Sequence, residues 1–114
     1  MTDCLFCRIV KKEIPCRMVY EDETILAFED IHPQAPVHIL VIPKKHTDSL
    51  AGLQDGDAPM VAALMSIATR IAREKNIIKS GYRTVINTGP DGGQTVPHLH
   101  LHLLGGRPLG WPPG

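Results

Sequence analysis

Between Val96 and Gly106 three histidines alternate with three leucines, in the order Val-Pro-His-Leu-His-Leu-His-Leu-Leu-Gly-Gly. Successive side chains of a β-strand point to opposite faces, so His98, His100 and His102 share one face and Leu99, Leu101 and Leu103 the other. A helix would pair His98 with His102 and turn His100 away, and the two-residue apolar period favours the strand. The stretch therefore predicts a half-buried strand that shows imidazoles to a site and leucines to a core. Two chemistries suit such a face. The imidazoles can bind a metal, or one can act as nucleophile or proton carrier while its neighbours hold an anion.

The preceding chain supplies a scaffold for this strand. Residues 4 to 12 place Leu5, Phe6, Ile9 and Val10 on one helical face, with Thr2 or Asp3 as cap and Pro15 as the stop. Met18–Glu21 and residues 24 to 28 read as strands joined by Asp22-Glu23 in a hairpin. Residues 29 to 36, with two prolines, read as an ordered loop, and the near-continuous apolar run 38 to 43 as a central, buried strand. Residues 57 to 75 form the one long helix. Asp57 is its cap, Pro59 suits the first turn, and Val61, Leu64, Ala68 and Ile71 recur at helical spacing. Residues 81 to 88 read as a strand, which Gly89-Pro90-Asp91-Gly92-Gly93 turns toward the histidines. This order predicts an α+β fold in which helices pack on a mainly antiparallel sheet.

Composition narrows the function. A chain of 114 residues, 43% hydrophobic, suits one domain over residues 1 to 114 with a sizeable core. Twelve basic and twelve acidic residues give zero net charge, which argues against a broad electrostatic grip on nucleic acid but not against one nucleotide. No apolar run reaches the roughly 20 residues of a membrane helix. The opening Met-Thr-Asp-Cys has no signal-peptide pattern, so the expected compartment is the cytoplasm, with no membrane partner. Three cysteines, Cys4, Cys7 and Cys16, do not suggest a disulfide framework; Cys16 reads as inert.

The motif His-x-His-x-His followed by two apolar residues resembles the signature of the histidine-triad (HIT) superfamily. Phe28-Glu29-Asp30-Ile31, Pro33-Gln34-Ala35-Pro36, residues 38 to 46, Gly92-Gly93-Gln94-Thr95, Leu104-Gly105-Gly106-Arg107 and the closing Trp111-Pro112-Pro113-Gly114 are similar to its Hint branch, the histidine-triad nucleotide-binding proteins, in their bacterial form. The resemblance implies an antiparallel five-stranded sheet with two main helices, continued across a homodimer. It implies hydrolysis of purine nucleoside phosphoramidates to an AMP-like product, with no catalytic cofactor. His100 would attack the α-phosphorus, its other ring nitrogen fixed by a backbone carbonyl of the same strand or by His38. His102 would stabilise charge on the phosphate oxygens.

The same resemblance distributes the binding roles. Gly93, Gln94 and Thr95 belong to the phosphate loop, where Thr95 stands in place of a common serine and Pro97 in place of a larger residue. Asp30 would bind the ribose, beside Ile31. Leu5, Phe6, Ile9, Phe28 and Leu40 would wall the base, although ordinary core packing explains each equally well. Asn87 would bond the nucleotide or the strand of His100. Cys4 and Cys7, with His46 and His98, match the ligands of a structural zinc; Cys7 can equally be a small buried hydrophobe. Three alternatives stay open: a nucleotide-binding regulatory protein with incidental hydrolysis, a metal enzyme using His98, His100 and His102 as ligands, and a histidine-triad branch acting on dinucleoside polyphosphates.

Overall fold

The computed structural model describes residues 3 to 114. Five strands, β1 (Met18–Glu21), β2 (Ile25–Glu29), β3 (Val37–Pro43), β4 (Tyr82–Val85) and β5 (Leu101–Gly105), make one sheet in the order β1-β2-β3-β5-β4. Every neighbouring pair is antiparallel. Two helices, α1 (Leu5–Val10) and α2 (Ala58–Glu74), pack on it, and two short 3-10 turns, Leu50–Gly52 and Asp55–Asp57, lead into α2. The fold is the α+β architecture expected from the sequence.

The hydrophobic alternation decides which helix covers which face. Ile25, Ala27, Ile39, Val41, Leu101 and Leu103 cluster with Leu64, Ala68, Ile71 and Ala72 of α2. The intervening Leu26, Phe28, Leu40 and Ile42 cluster with Phe6 and Ile9 of α1 on the other face. Each fully buried leucine or isoleucine contributes about 1.5–3 kcal/mol by leaving water.

Three local expectations are corrected. The cap of α1 is neither Asp3 nor Thr2, which lies outside the described residues. It is Cys4, whose Sγ accepts from the N–H of Cys7. Asp57 does take the N-cap position of α2, as expected, but its carboxylate accepts the N–H of Gln54 and closes the 3-10 turn rather than bonding the helix. The histidine stretch joins the ladder only at Leu101, so His98 and His100 precede β5. Here the Leu99 N–H donates to Thr47 O at 2.7 Å, which diverts the chain away from its β4 neighbour. For the same reason β4 ends at Val85, short of the expected residue 88. The two-faced alternation survives. Leu99 joins the α2-side core while the rings of His98 and His100 meet Phe6 edge-on.

Candidate active site

The hydrogen bonds of His100 define its tautomer. Nδ1 lies 2.7 Å from the carbonyl of His98, which can only accept, so Nδ1 carries the hydrogen. In the neutral ring Nε2 then keeps its lone pair. The sequence left two candidates for this anchor; the carbonyl of His98 is the one in place, and His38 bonds His102 instead.

A second chain of bonds fixes His102. The backbone N–H of Gln34 donates to His38 Nδ1 at 3.0 Å. Neutral His38 therefore carries its hydrogen on Nε2, which lies 3.0 Å from His102 Nδ1. His102 in turn carries its own hydrogen on Nε2. Burial lowers the basicity of His38, and burial, together with the charges His100 and His38 can carry, pushes His102 down to about 4. Both rings are thus neutral near pH 7. At the far end Gln34 is braced by Arg107, whose Nε and Nη2 donate to its carbonyl at 3.1 and 2.9 Å. Asp30, His38 and His102 lie close enough to suggest a metal group. The Gln34 N–H already occupies one nitrogen of His38, so a metal on the other would require an imidazolate; this is a hydrogen-bonded relay.

Beside these rings lies a cavity of about 300 Å³. Leu5, Phe6, Ile9, Phe28, Leu40, Asp30, Ile31 and Thr95 all line it, so one space gathers the expected base wall, ribose carboxylate and loop hydroxyl. Leu40 sits opposite His102 in the β3–β5 register, and the Phe6 ring is 5.2 Å from that of His100. Ile31 is 85% exposed, an apolar side chain held at the mouth. One oxygen of Asp30 accepts the N–H of His32, and the other lies 3.4 Å from His38 Nε2. Asn87 follows the end of β4, where continuing the register would set it opposite His100.

The glycine loop is held from within. A Cβ on Gly92 would meet Thr88 O at 2.5 Å, and Gly93 has φ +85°, so each position requires glycine. The N–H groups of Gly93 and Gln94 donate to Pro90 O and Gly89 O. The Gln94 side chain donates to Asp48 O and Val96 O and accepts from the Gly89 N–H. The N–H groups of Gly93 and Gln94 and the Gln94 side chain are thus engaged in shaping the loop. Thr95, exposed beyond them, is the residue the loop presents.

Cys4, Cys7, His46 and His98 converge, with their four ligand atoms all within 4.8 Å of one another. Cys4 Sγ is 3.3 Å from His98 Nδ1, and Cys7 Sγ is 3.2 Å from His46 Nδ1. Tetrahedral zinc with bonds of about 2.0–2.3 Å separates its ligands by roughly 3.3–3.8 Å. The outer partners settle the ring tautomers. His98 Nε2 is 2.8 Å from Pro43 O and His46 Nε2 is 2.6 Å from an oxygen of Asp48, so each Nδ1 turns its lone pair toward the thiols. The donor set fits a structural zinc. It also leaves the rings of His98, His100 and His102 without a common focus, against the three-histidine metal enzyme.

Ile14, Pro15, Cys16, His32 and Val96 also line the cavity and escaped the sequence reading. Cys16 is part of the wall, and burial pushes its thiol up, keeping it protonated, in keeping with its reading as inert. The decisive carbonyls of His98, Pro43 and Thr47 belong to the backbone, on which side-chain patterns carry no signal.

A family model for the HIT domain matches residues 11–109. The chain belongs to the HIT family. Among HIT relatives, the 14 kDa zinc-binding protein of Zea mays is 50% identical over 113 residues, covering 96% of this chain and 87% of that one. The crystal structure of a HIT family hydrolase from Legionella pneumophila superposes with a TM-score of 0.97 at 49% identity, covering 98% of this chain and 100% of the other. A histidine triad nucleotide-binding protein from Candida albicans gives 0.82 at 30% identity, over 96% of this chain and 83% of that one. This HIT chain thus shares its fold with hydrolases and nucleotide-binding proteins.

Proposed function

We propose that the protein is a purine nucleoside phosphoramidate hydrolase that works through a nucleotidyl-imidazole. The observation that carries the reading is the 2.7 Å bond from His100 Nδ1 to the His98 carbonyl, which leaves the Nε2 lone pair free on a ring 5.2 Å from that of Phe6, a residue of the cavity wall. An imidazole whose ring nitrogen keeps its lone pair is a competent nucleophile without a separate base.

In the first step His100 Nε2 attacks the α-phosphorus while the phosphorus–nitrogen bond to the amine breaks. The amine leaves with the bonding pair and takes up a proton, with the Thr95 hydroxyl nearby to bond it. In the second step water attacks phosphorus, the phosphorus–imidazole bond breaks, and a nucleoside monophosphate leaves. His102 donates from Nε2 to the oxygen on which charge develops. Being neutral, it gives up no charge-paired proton and keeps its tautomer through both steps. Asp30 accepts from the ribose hydroxyls, and the apolar wall holds the purine. No metal or other cofactor takes part in either step.

Two copies would join along β4, the edge of the sheet, in the cytoplasm, with residues 1 to 114 acting as one domain. Support comes from the half-buried Arg83 and Val85 of β4, which share the His102 face next to the part covered by α1.

His100→Ala is the test. It should lose at least about a thousandfold in turnover of adenosine 5′-phosphoramidate and still bind adenosine monophosphate. Turnover within tenfold of wild type would refute the assignment.

A further inference from the structure

We propose that the Cys/His cluster governs the ring state of His100, which makes His98 a positioning residue as well as a metal ligand. Only the catalytic consequence rests on the reading of His100 as nucleophile.

The link is a single peptide plane. The unit joining His98 to Leu99 is held on both sides: its N–H donates to Thr47 O at 2.7 Å, and its carbonyl accepts from His100 Nδ1 at 2.7 Å. A peptide unit is rigid, so a rotation that disturbs one of these bonds disturbs the other. Both anchors adjoin the cluster. Thr47 follows the ligand His46, and the carbonyl belongs to the ligand His98. A third tie runs through α1. Its cap is the ligand Cys4, and its Phe6 ring lies edge-on to His98 and His100, at 5.8 and 5.2 Å.

With zinc bound, all four ligands are fixed together, and with them residues 46 to 47 and His98. Thiol-to-imidazole hydrogen bonds, which are weak, hold the four ligands less firmly, so the plane rotates more readily. His100 Nδ1 then loses its acceptor and the Nε2–H tautomer becomes available. That tautomer has no lone pair on Nε2, the nitrogen to which the attack is assigned.

The experiment follows the imidazole nitrogens of the full chain by ¹⁵N NMR in the zinc-loaded protein, after chelation, and after zinc is restored. Cys7→Ser is measured alongside, with circular dichroism as a check on folding. The loaded protein should show His100 in the Nδ1–H form alone. Stripped protein and Cys7→Ser should show the Nε2–H form as well. Their kcat on adenosine 5′-phosphoramidate should fall about tenfold, the scale of losing an outer support, with KM changed less than about twofold. Zinc should restore the stripped wild type. Should Cys7→Ser not fold, Asp48→Asn, which removes only the carboxylate behind His46, should give a smaller shift in the same direction. An unchanged His100 tautomer in stripped protein overturns the proposal, as does a chain that takes up no zinc. A shifted tautomer with unchanged turnover upholds it and refutes the nucleophilic role of His100 instead.

Discussion

His102 shows how much a site depends on where one hydrogen sits. Its folded ring titrates at about 4 against 6.5 in the open chain, so between those values the unfolded state binds more protons. Stability from this group is therefore complete above pH 6.5 and is lost as pH falls toward 4, by at most about 3 kcal/mol. An NMR titration should find the ring neutral down to about pH 4, and denaturation curves should weaken across the same window. Replacing His102 by Ala should reduce kcat about a hundredfold, since it removes a preorganised donor. The three imidazoles were legible in the sequence because side-chain alternation exposes them. The alternation itself does not rank them, and their roles came from the resemblance, because Pro43, His98 and Gln34 act through main-chain atoms that look alike at every position.

At the level of elements, the first hairpin and the glycine loop carry the sharpest expectations. Asp22 accepts from the N–H groups of Thr24 and Ile25 and from the Tyr20 hydroxyl, which with these backbone bonds holds its carboxyl at about 2. A depressed carboxyl stabilises above its ordinary value of 3.8, and this help fades as pH falls from there to about 2. Asp22→Ala should cost about 1 kcal/mol in thermal or urea unfolding, an estimate that allows for its exposure. Gly92→Ala presses a Cβ onto the Thr88 carbonyl and should displace Thr95. A loss of ten- to hundredfold in kcat/KM with little change in melting temperature is expected. Strands and long helix followed from apolar period and turn residues. The largest missed boundaries, the end of β4 and the start of β5, lie where Thr47, distant in sequence, takes the Leu99 N–H.

Over the whole molecule, α2 closes one face of the sheet, while α1 covers only the strands that carry Leu26, Phe28, Leu40 and Ile42. The uncovered part and the β4 edge are the surfaces a second copy would bury. Sedimentation equilibrium at micromolar protein should return twice the 12.5 kDa of one chain, and a single-chain mass would exclude the dimer. Arg107 gives this architecture a longer reach. By gripping Gln34 it secures the amide that dictates how His38 is protonated, and through His38 which side of His102 looks outward. A guanidinium outside the cavity wall thereby keeps watch over a proton two rings away, so wear on the carboxy-terminal segment would first be felt as a misdirected hydrogen rather than as a loosened tail.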